Sequence, residues 1–294
     1  MKRLVFAIIP FILILASCAN TAPVVIDAPV YAPADTSAPD GTNDTERVQP
    51  APIESDVVES DTRTDESAPS ESVPDESYPT ESRGVVYLTF DDGPYTHTYR
   101  VLEILEKYDV KAVFFLVGEH ILRYPENARA IAEAGHTIAC HSVSHDYDDI
   151  YESPDAMRAD ITAWENIVES TIGYVPNERL YRFPGGSTCS AIGKGEFDAL
   201  YAAVGEKGYR VFDWTCGNND RWDGGRREGQ SVEDYLKESV KVSLILGGKP
   251  HILLLHETAS ATVDTLEWTI EYLLGEGYTF GELSQFDTEY IFAK

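Results

Sequence analysis

Val85-Val86-Tyr87-Leu88-Thr89-Phe90-Asp91-Asp92-Gly93-Pro94 is a short apolar run that ends on two adjacent carboxylates and a Gly-Pro turn signal. Its β-branched and aromatic residues, closed by turn formers, predict a strand over Val85–Phe90 buried in a sheet. The same beat repeats outward along the chain. Further strands are expected at Ala112–Val117, Thr137–Cys140, Leu180–Phe183, Tyr209–Trp214 and Ile252–Leu255, with Tyr278–Phe280 as a seventh. Amphipathic segments near Tyr99–Tyr108, Glu126–Ala134, Pro154–Ser170, Gly195–Lys207, Ser231–Leu246 and Val263–Leu274 separate them. Ser153 ahead of Pro154 reads as a helix N-cap, and an acidic first turn comes after Ser231. Strictly alternating strands and helices predict an α/β fold, a distorted (β/α) barrel of about seven parallel strands with outer helices.

The residues just past each strand are more telling than the strands themselves. Asp91-Asp92 succeed the first, His141 and His145 the third, Arg182 and Gly185 the fourth; Asp213-Trp214 close the fifth, and His256 succeeds the sixth. In a parallel barrel the carboxyl ends of the strands share one face, so these groups converge on one mouth. A spacing of four places His141 and His145 on one side of a helical turn, ready to share an ion. Either histidine alone reads as an ordinary surface or core side chain. Beside them, two adjacent carboxylates repel unless a cation separates their roles, one as ligand and the other as proton acceptor.

The motifs Thr89-Phe90-Asp91-Asp92-Gly93-Pro94, His141-Ser142-Val143-Ser144-His145, Arg182-Phe183-Pro184-Gly185-Gly186, Asp213-Trp214 and Leu253-Leu254-Leu255-His256 resemble, in order, those of the polysaccharide deacetylase family, carbohydrate esterase family four. The resemblance spans roughly residues 84 to 286, and within the family the chain resembles peptidoglycan N-acetylglucosamine deacetylases. It implies that Asp92, His141 and His145 hold a divalent metal, most simply Zn2+ with Co2+, Ni2+ or Fe2+ as alternatives. It further implies Asp91 as general base, His256 as general acid, and Arg182 as the residue that orients Asp91. A backbone N–H near Gly185 becomes the oxyanion donor, while Trp214 and Leu254 become the wall around the acetyl methyl, with plain core packing the competing reading, more so for Leu254 than for Trp214. Two departures leave roles open. Arg210 stands where many relatives carry an aspartate partner for the arginine, so Asp213, Asp220 or Asp223 is left for that role. Glu257 comes after the last histidine where many members have Asp, so the group that orients His256 is also open.

Composition narrows the partners. The 294-residue chain carries 50 acidic against 23 basic residues, a net charge of −27, which would repel a phosphate backbone and argues against nucleic acid. Lys2 and Arg3 precede an apolar run from Val5 to Ala16, the length of a signal-peptide core and short of the ~20 residues that span a bilayer. It ends in Leu15-Ala16-Ser17-Cys18, which resembles a lipobox, so residues 1–18 are expected to be a lipoprotein signal with Cys18 lipidated. Residues 19–82 hold 15 acidic residues, two arginines and nine of the 16 prolines, and read as a disordered, acidic Pro/Ser/Thr-rich linker. Residues 83–294 are then the catalytic domain, expected as a monomer outside the cytoplasm, tethered to the bacterial membrane by its N-terminal lipid.

The remaining features are less specific. Cys189 and Cys216 fall on the expected active-site side and are either a disulfide or two thiols, while Cys140 reads as a small buried filler. His97, His120, His136 and His251 match no motif and read as structural. The Gly-rich run Trp222–Gly229, with Arg221, Arg226 and Arg227, is basic within an acidic domain; contact with an anionic glycan competes there with a solvated loop. The expected activity is removal of N-acetyl groups from an amino sugar of a wall polymer, with peptidoglycan favoured by location. The competing readings are an O-acetyl (xylan) esterase or chitooligosaccharide deacetylase, and a catalytically silent glycan-binding lipoprotein.

Overall fold

A computed structural model of the chain describes residues 82–193, 195–286 and 288–292. The expected leader with Cys18, and the linker apart from Ser82, lie outside the described residues. The opening motif forms β1 (Gly84–Gly93), the centre of the sheet. Strands β2 (Ala112–Leu116), β3 (Thr137–Cys140), β4 (Leu180–Tyr181) and β5 (Arg210–Val211) extend it on one side, and β7 (His251–His256) and β6 (Cys216–Gly217) on the other. A further strand, β8 (Tyr278–Phe280), pairs with the first residues of β1. Every strand pair is parallel.

Chain length forces the sheet to curl. Strands β5 and β6 lie at opposite ends of the hydrogen-bonded order, yet only Phe212–Thr215 join them. Four linking residues reach about 18 Å at most, whereas seven flat strands would put these edges roughly 29 Å apart. Within this link Phe212 pairs in parallel with Tyr290. The Tyr290 carbonyl accepts the Asp213 N–H at 2.7 Å, and its own N–H reaches the Val211 carbonyl at 3.3 Å. The result is the distorted (β/α) barrel expected from the alternating pattern.

Strand β2 shows why its sequence is continuously apolar. Phe114 and Leu116 face the large core beneath the helices, while Val113 and Phe115 join Ala139, Leu180, Phe212, Ile252 and Leu283 in a second cluster. Burial on both faces leaves no position for a polar residue. The principal outer helices are α1 (Thr98–Lys107), α3 (Pro125–Glu133), α5 (Pro154–Ile172), α6 (Phe197–Glu206), α7 (Val232–Leu246) and α8 (Ser260–Gly275). Ser153 caps α5 through the Ala156 N–H as expected, and Ser231 caps α7 through the Asp234 N–H. Trp164 of α5 is fully buried and donates its indole N–H to the Leu116 carbonyl at 2.8 Å.

Four short elements escape the periodicity reading: α2 (Gly118–Arg123), α4 (Tyr147–Ile150), the two-residue β6 and a 3-10 turn at Leu283–Gln285. None is long enough to complete an apolar period. Of the two alternatives for Cys189 and Cys216, the disulfide between them is not formed, since Cys216 is a free buried thiol whose Sγ lies 3.4 Å from the Ile252 carbonyl. Cys140 is a buried filler, as expected.

Candidate active site

The carboxylates at the end of β1 reach one site because the strand is irregular there. Consecutive strand residues point to opposite faces. The register with β2 shifts between Asp91 and Gly93, and Asp92 takes a left-handed φ of 65°, which re-aims its side chain. Asp91 pairs across β7 with His256, so these two candidate proton-transfer groups start from neighbouring strand ends.

The His141–His145 pair corrects the expectation of a helical turn. Both lie in a loop after β3, bent by left-handed residues at Ser142 (φ 67°) and His145 (φ 60°). Ser142 Oγ accepts the His145 N–H at 2.9 Å, and Asp160 Oδ1 of α5 accepts the Val143 N–H at 3.0 Å. The first N–H groups of α2 bind the Ser142 and Val143 carbonyls. A Cβ at Gly118 would lie 3.1 Å from the Val143 Cα, so glycine permits this close approach.

The His141 imidazole donates from Nδ1 to the Arg182 carbonyl at 2.9 Å, which leaves Nε2 with its lone pair aimed at the carboxylates. Asp92 Oδ1 is 3.5 Å from Nε2 of both His141 and His145. It is buried without a hydrogen-bond partner in the described structure. An orphaned carboxylate oxygen facing two imidazole lone pairs is what a small cation would satisfy, and one ligand atom from each of the three residues falls within 4.8 Å of the others. The donor set therefore fits a divalent metal. Burial opposes ionisation of Asp92, but the neighbouring His141, His256 and His145 and the Arg221 guanidinium outweigh it and hold its carboxyl well below the usual range.

Arg182 is completely buried and satisfies four acceptors. It reaches Asp91 Oδ1 at 2.7 Å, Thr89 Oγ1 at 2.9 Å, and the carbonyls of Phe212 and Asp213 at 2.8 and 3.1 Å. Its carboxylate partner is Asp91. The side chain of Asp213, one of the groups considered as the arginine's partner, is used elsewhere: its oxygens take the Ser187 N–H and hydroxyl and the Phe292 N–H. Asp213 thus ties down the Gly185-Gly186 turn, and only its carbonyl touches Arg182. Asp223 lies 3.8 Å from Arg226 within its own loop.

Asp220 resolves what holds His256. Its Oδ1 accepts from Nδ1 of the imidazole at 2.7 Å, and its Oδ2 takes the His256 backbone N–H and the Thr262 hydroxyl. Burial opposes the imidazolium, but the Asp220 carboxylate overcomes it and raises the His256 pKa. Glu257 instead turns beneath β1. A Cβ at Gly93 would lie 1.9 Å from Glu257 Oε1, so only glycine fits there.

Both glycines of the turn at Gly185 and Gly186 have positive φ, and among the described residues the Gly185 N–H makes no hydrogen bond. Trp214 lies against Gly186 and makes an edge contact with Phe292 at 5.2 Å. Leu254 is the one residue of β7 that is not fully buried. Sequence reasoning missed two supports. His120, read as structural, donates from Nδ1 to the Asp92 carbonyl at 2.6 Å, and Asp160 braces the histidine loop. Neither carries a sequence signal, because each acts across the fold on a backbone group.

Residues 79–209 match the polysaccharide deacetylase family profile. A putative polysaccharide deacetylase of Bacillus subtilis, YheN, is 31% identical over 202 residues, covering 67% of this chain and 66% of that protein. A peptidoglycan-N-acetylglucosamine deacetylase of Bacillus cereus is 29% identical over 200 residues, covering 68% of this chain and 69% of that protein. Among solved structures, the catalytic domain of a peptidoglycan N-acetylglucosamine deacetylase from Eubacterium rectale superposes with a TM-score of 0.62 at 29% identity, covering 70% of this chain and 91% of that one. With five motifs gathered at one barrel mouth and these likenesses across the domain, the chain belongs to the polysaccharide deacetylase family, carbohydrate esterase family four.

Proposed function

We propose that the chain is a metal-dependent hydrolase that removes N-acetyl groups from the amino sugars of a cell-wall polysaccharide. Peptidoglycan is the substrate and zinc the ion at Asp92, His141 and His145. The observation that carries this reading is the orphaned Asp92 Oδ1 facing two imidazoles, flanked by the Asp91–Arg182 pair and by the His256–Asp220 pair. When bound, the ion polarises the acetyl carbonyl and acidifies a water.

This chain's residues supply the rest. Asp91, oriented by Arg182, accepts the proton of the attacking water. The Gly185 N–H donates to the carbonyl oxygen as it gains charge. His256 then gives its Nε2 proton to the departing nitrogen, and Asp220, which holds the Nδ1 proton, stabilises the imidazolium that carries it. Leu254 and Trp214 enclose the methyl. Peptidoglycan is favoured by the named substrate of two relatives and by the leader ending at Cys18, which would tether the domain by a lipid outside the bacterial membrane.

The test is acetate release by the metal-loaded protein from N-acetylated peptidoglycan, chitooligosaccharide and acetylated xylan. The reading predicts turnover of the N-acetylated glycans that chelator abolishes. Preference for xylan would establish the O-acetyl esterase instead, and no turnover of any glycan would leave a silent binding protein.

A further inference from the structure

The basic Gly-rich loop after β6 is not used by the chemistry above, yet it begins inside the site. Its three arginines differ sharply. Arg227 forms a two-bond pair with Glu238 of α7, at 2.9 and 2.6 Å. Arg226 is occupied by the Gln230 carbonyl and Asp223. Arg221 alone turns to the mouth, where one nitrogen, Nη2, reaches both Asp92 Oδ2 and Thr258 Oγ1 at 2.5 Å. Its remaining N–H groups, three of the five a guanidinium carries, have no partner among the described residues. The side chain is 49% exposed.

The next residue, Trp222, is 44% exposed, and its ring rests on bare backbone. A Cβ at Gly224 would lie 2.7 Å from the indole, and one at Gly225 would lie 2.9 Å from it. The two glycines therefore form a cradle that a side chain would fill, and they support the aromatic plane from one side. A supported, exposed indole is a stacking surface for the apolar face of a pyranose. A guanidinium with unclaimed donors beside it is a carboxylate site, because its fork matches that group.

We propose that Arg221 and Trp222 form a subsite for an acidic sugar adjoining the one that is deacetylated, with Trp222 stacked on its ring and Arg221 bound to its carboxylate. The proposal deepens the deacetylase reading and rests on it for the role of the mouth. It explains why a domain with a net charge of −16 over residues 83–294 keeps a guanidinium with unclaimed donors there. The carboxylate is either the lactyl ether of a muramyl residue or that of a uronic acid.

Binding is the primary readout, so the test does not depend on turnover. Zinc-loaded protein is titrated calorimetrically with an N-acetylglucosamine–N-acetylmuramic acid tetrasaccharide and with the same oligomer after carboxyl reduction. A glucosamine–glucuronate oligomer and its reduced form make the second pair. The subsite predicts about tenfold tighter binding of an acidic form over its neutral partner, and the pair showing this preference identifies the source. Arg221→Gln brings the ratio close to one, and Arg221→Lys keeps part of it. Using a ratio cancels any loss common to both ligands, such as a change at Asp92. Trp222→Ala and Gly224→Ala weaken acidic and neutral forms alike, and Trp222→Phe restores most of the affinity. Equal binding of acidic and neutral forms, no binding of either, or an unchanged ratio in Arg221→Gln would overturn the subsite. Acetate release from the same oligomers reports separately on the deacetylase reading, which fails only if no acetate appears.

Discussion

Arg182 and Asp91 meet at 2.7 Å with both side chains nearly sealed from water, the arginine fully and the aspartate to 4%. A buried pair of this kind is costly to break from one side, because the surviving charge keeps its desolvation cost and loses its partner. Arg182→Ala strands Asp91 together with the Phe212 and Asp213 carbonyls, so it should lower unfolding free energy by about 3–5 kcal/mol. Asp91→Asn leaves the buried guanidinium without its counter-charge but with an acceptor still in place, so it should also destabilise, by less than Arg182→Ala, while stopping turnover. Urea denaturation of the two variants checks this; equal and small losses would mean that the pair does not hold the barrel mouth together.

The His256–Asp220 bond sets a pH limit. Asp220 raises the His256 pKa, so the acid stays protonated to higher pH than it would alone. In Asp220→Asn the attraction disappears and the pKa falls, which moves the alkaline limb of the kcat/KM profile to lower pH. An unmoved limb would show that another group donates the proton.

Glu257 offers a stability test with a defined sign. Burial pushes its carboxyl up to about 8, with only the Thr98 hydroxyl opposing, and its Oε1 has no partner. A carboxyl whose folded pKa exceeds its unfolded value is bound to a proton more tightly in the native state. Its contribution is complete below the unfolded value near 4.5 and is lost as pH rises toward 8. The slope is at most about 1.4 kcal/mol per pH unit in that window. Glu257→Gln should remove this slope, so the variant gains on the wild type as pH rises from about 5 to about 8. Parallel Tm–pH curves for the two proteins would contradict the assignment.

Asp160 braces the loop of the candidate metal ligands through the Val143 N–H. Asp160→Ala frees the loop that carries His141 and His145 and should weaken zinc binding by about tenfold, measured by chelator competition. Unchanged affinity would assign the loop's geometry to Ser142 and α2 instead.

The sequence made the barrel legible where strands were long and apolar, as at β1, β2 and β7, and made the candidate ligands legible because each chemical group sits at a strand end. It could not show that Asp92 reaches the site through a bulge, or that His141 and His145 are brought together by left-handed turns, since φ is not written in residue spacing. The partner of His256 was equally hidden. Asp220 lies 36 residues upstream of it in a loop without periodicity, and only the folded chain brings the two within 2.7 Å. The role of Asp213, left open among three carboxylates, was hidden for a related reason: its place beside the motif tryptophan does not reveal that its carboxylate faces Ser187 and Phe292.

The central claim is that Asp92, His141 and His145 together hold one cation while Asp91 stands beside it. Calorimetric titration of the metal-free protein with zinc tests this directly. One equivalent should bind to the wild type and to Asp91→Asn, whereas His141→Ala and Asp92→Ala should lose the tight site. Undiminished binding in His141→Ala, or its loss in Asp91→Asn, would contradict the assignment of ligand and base.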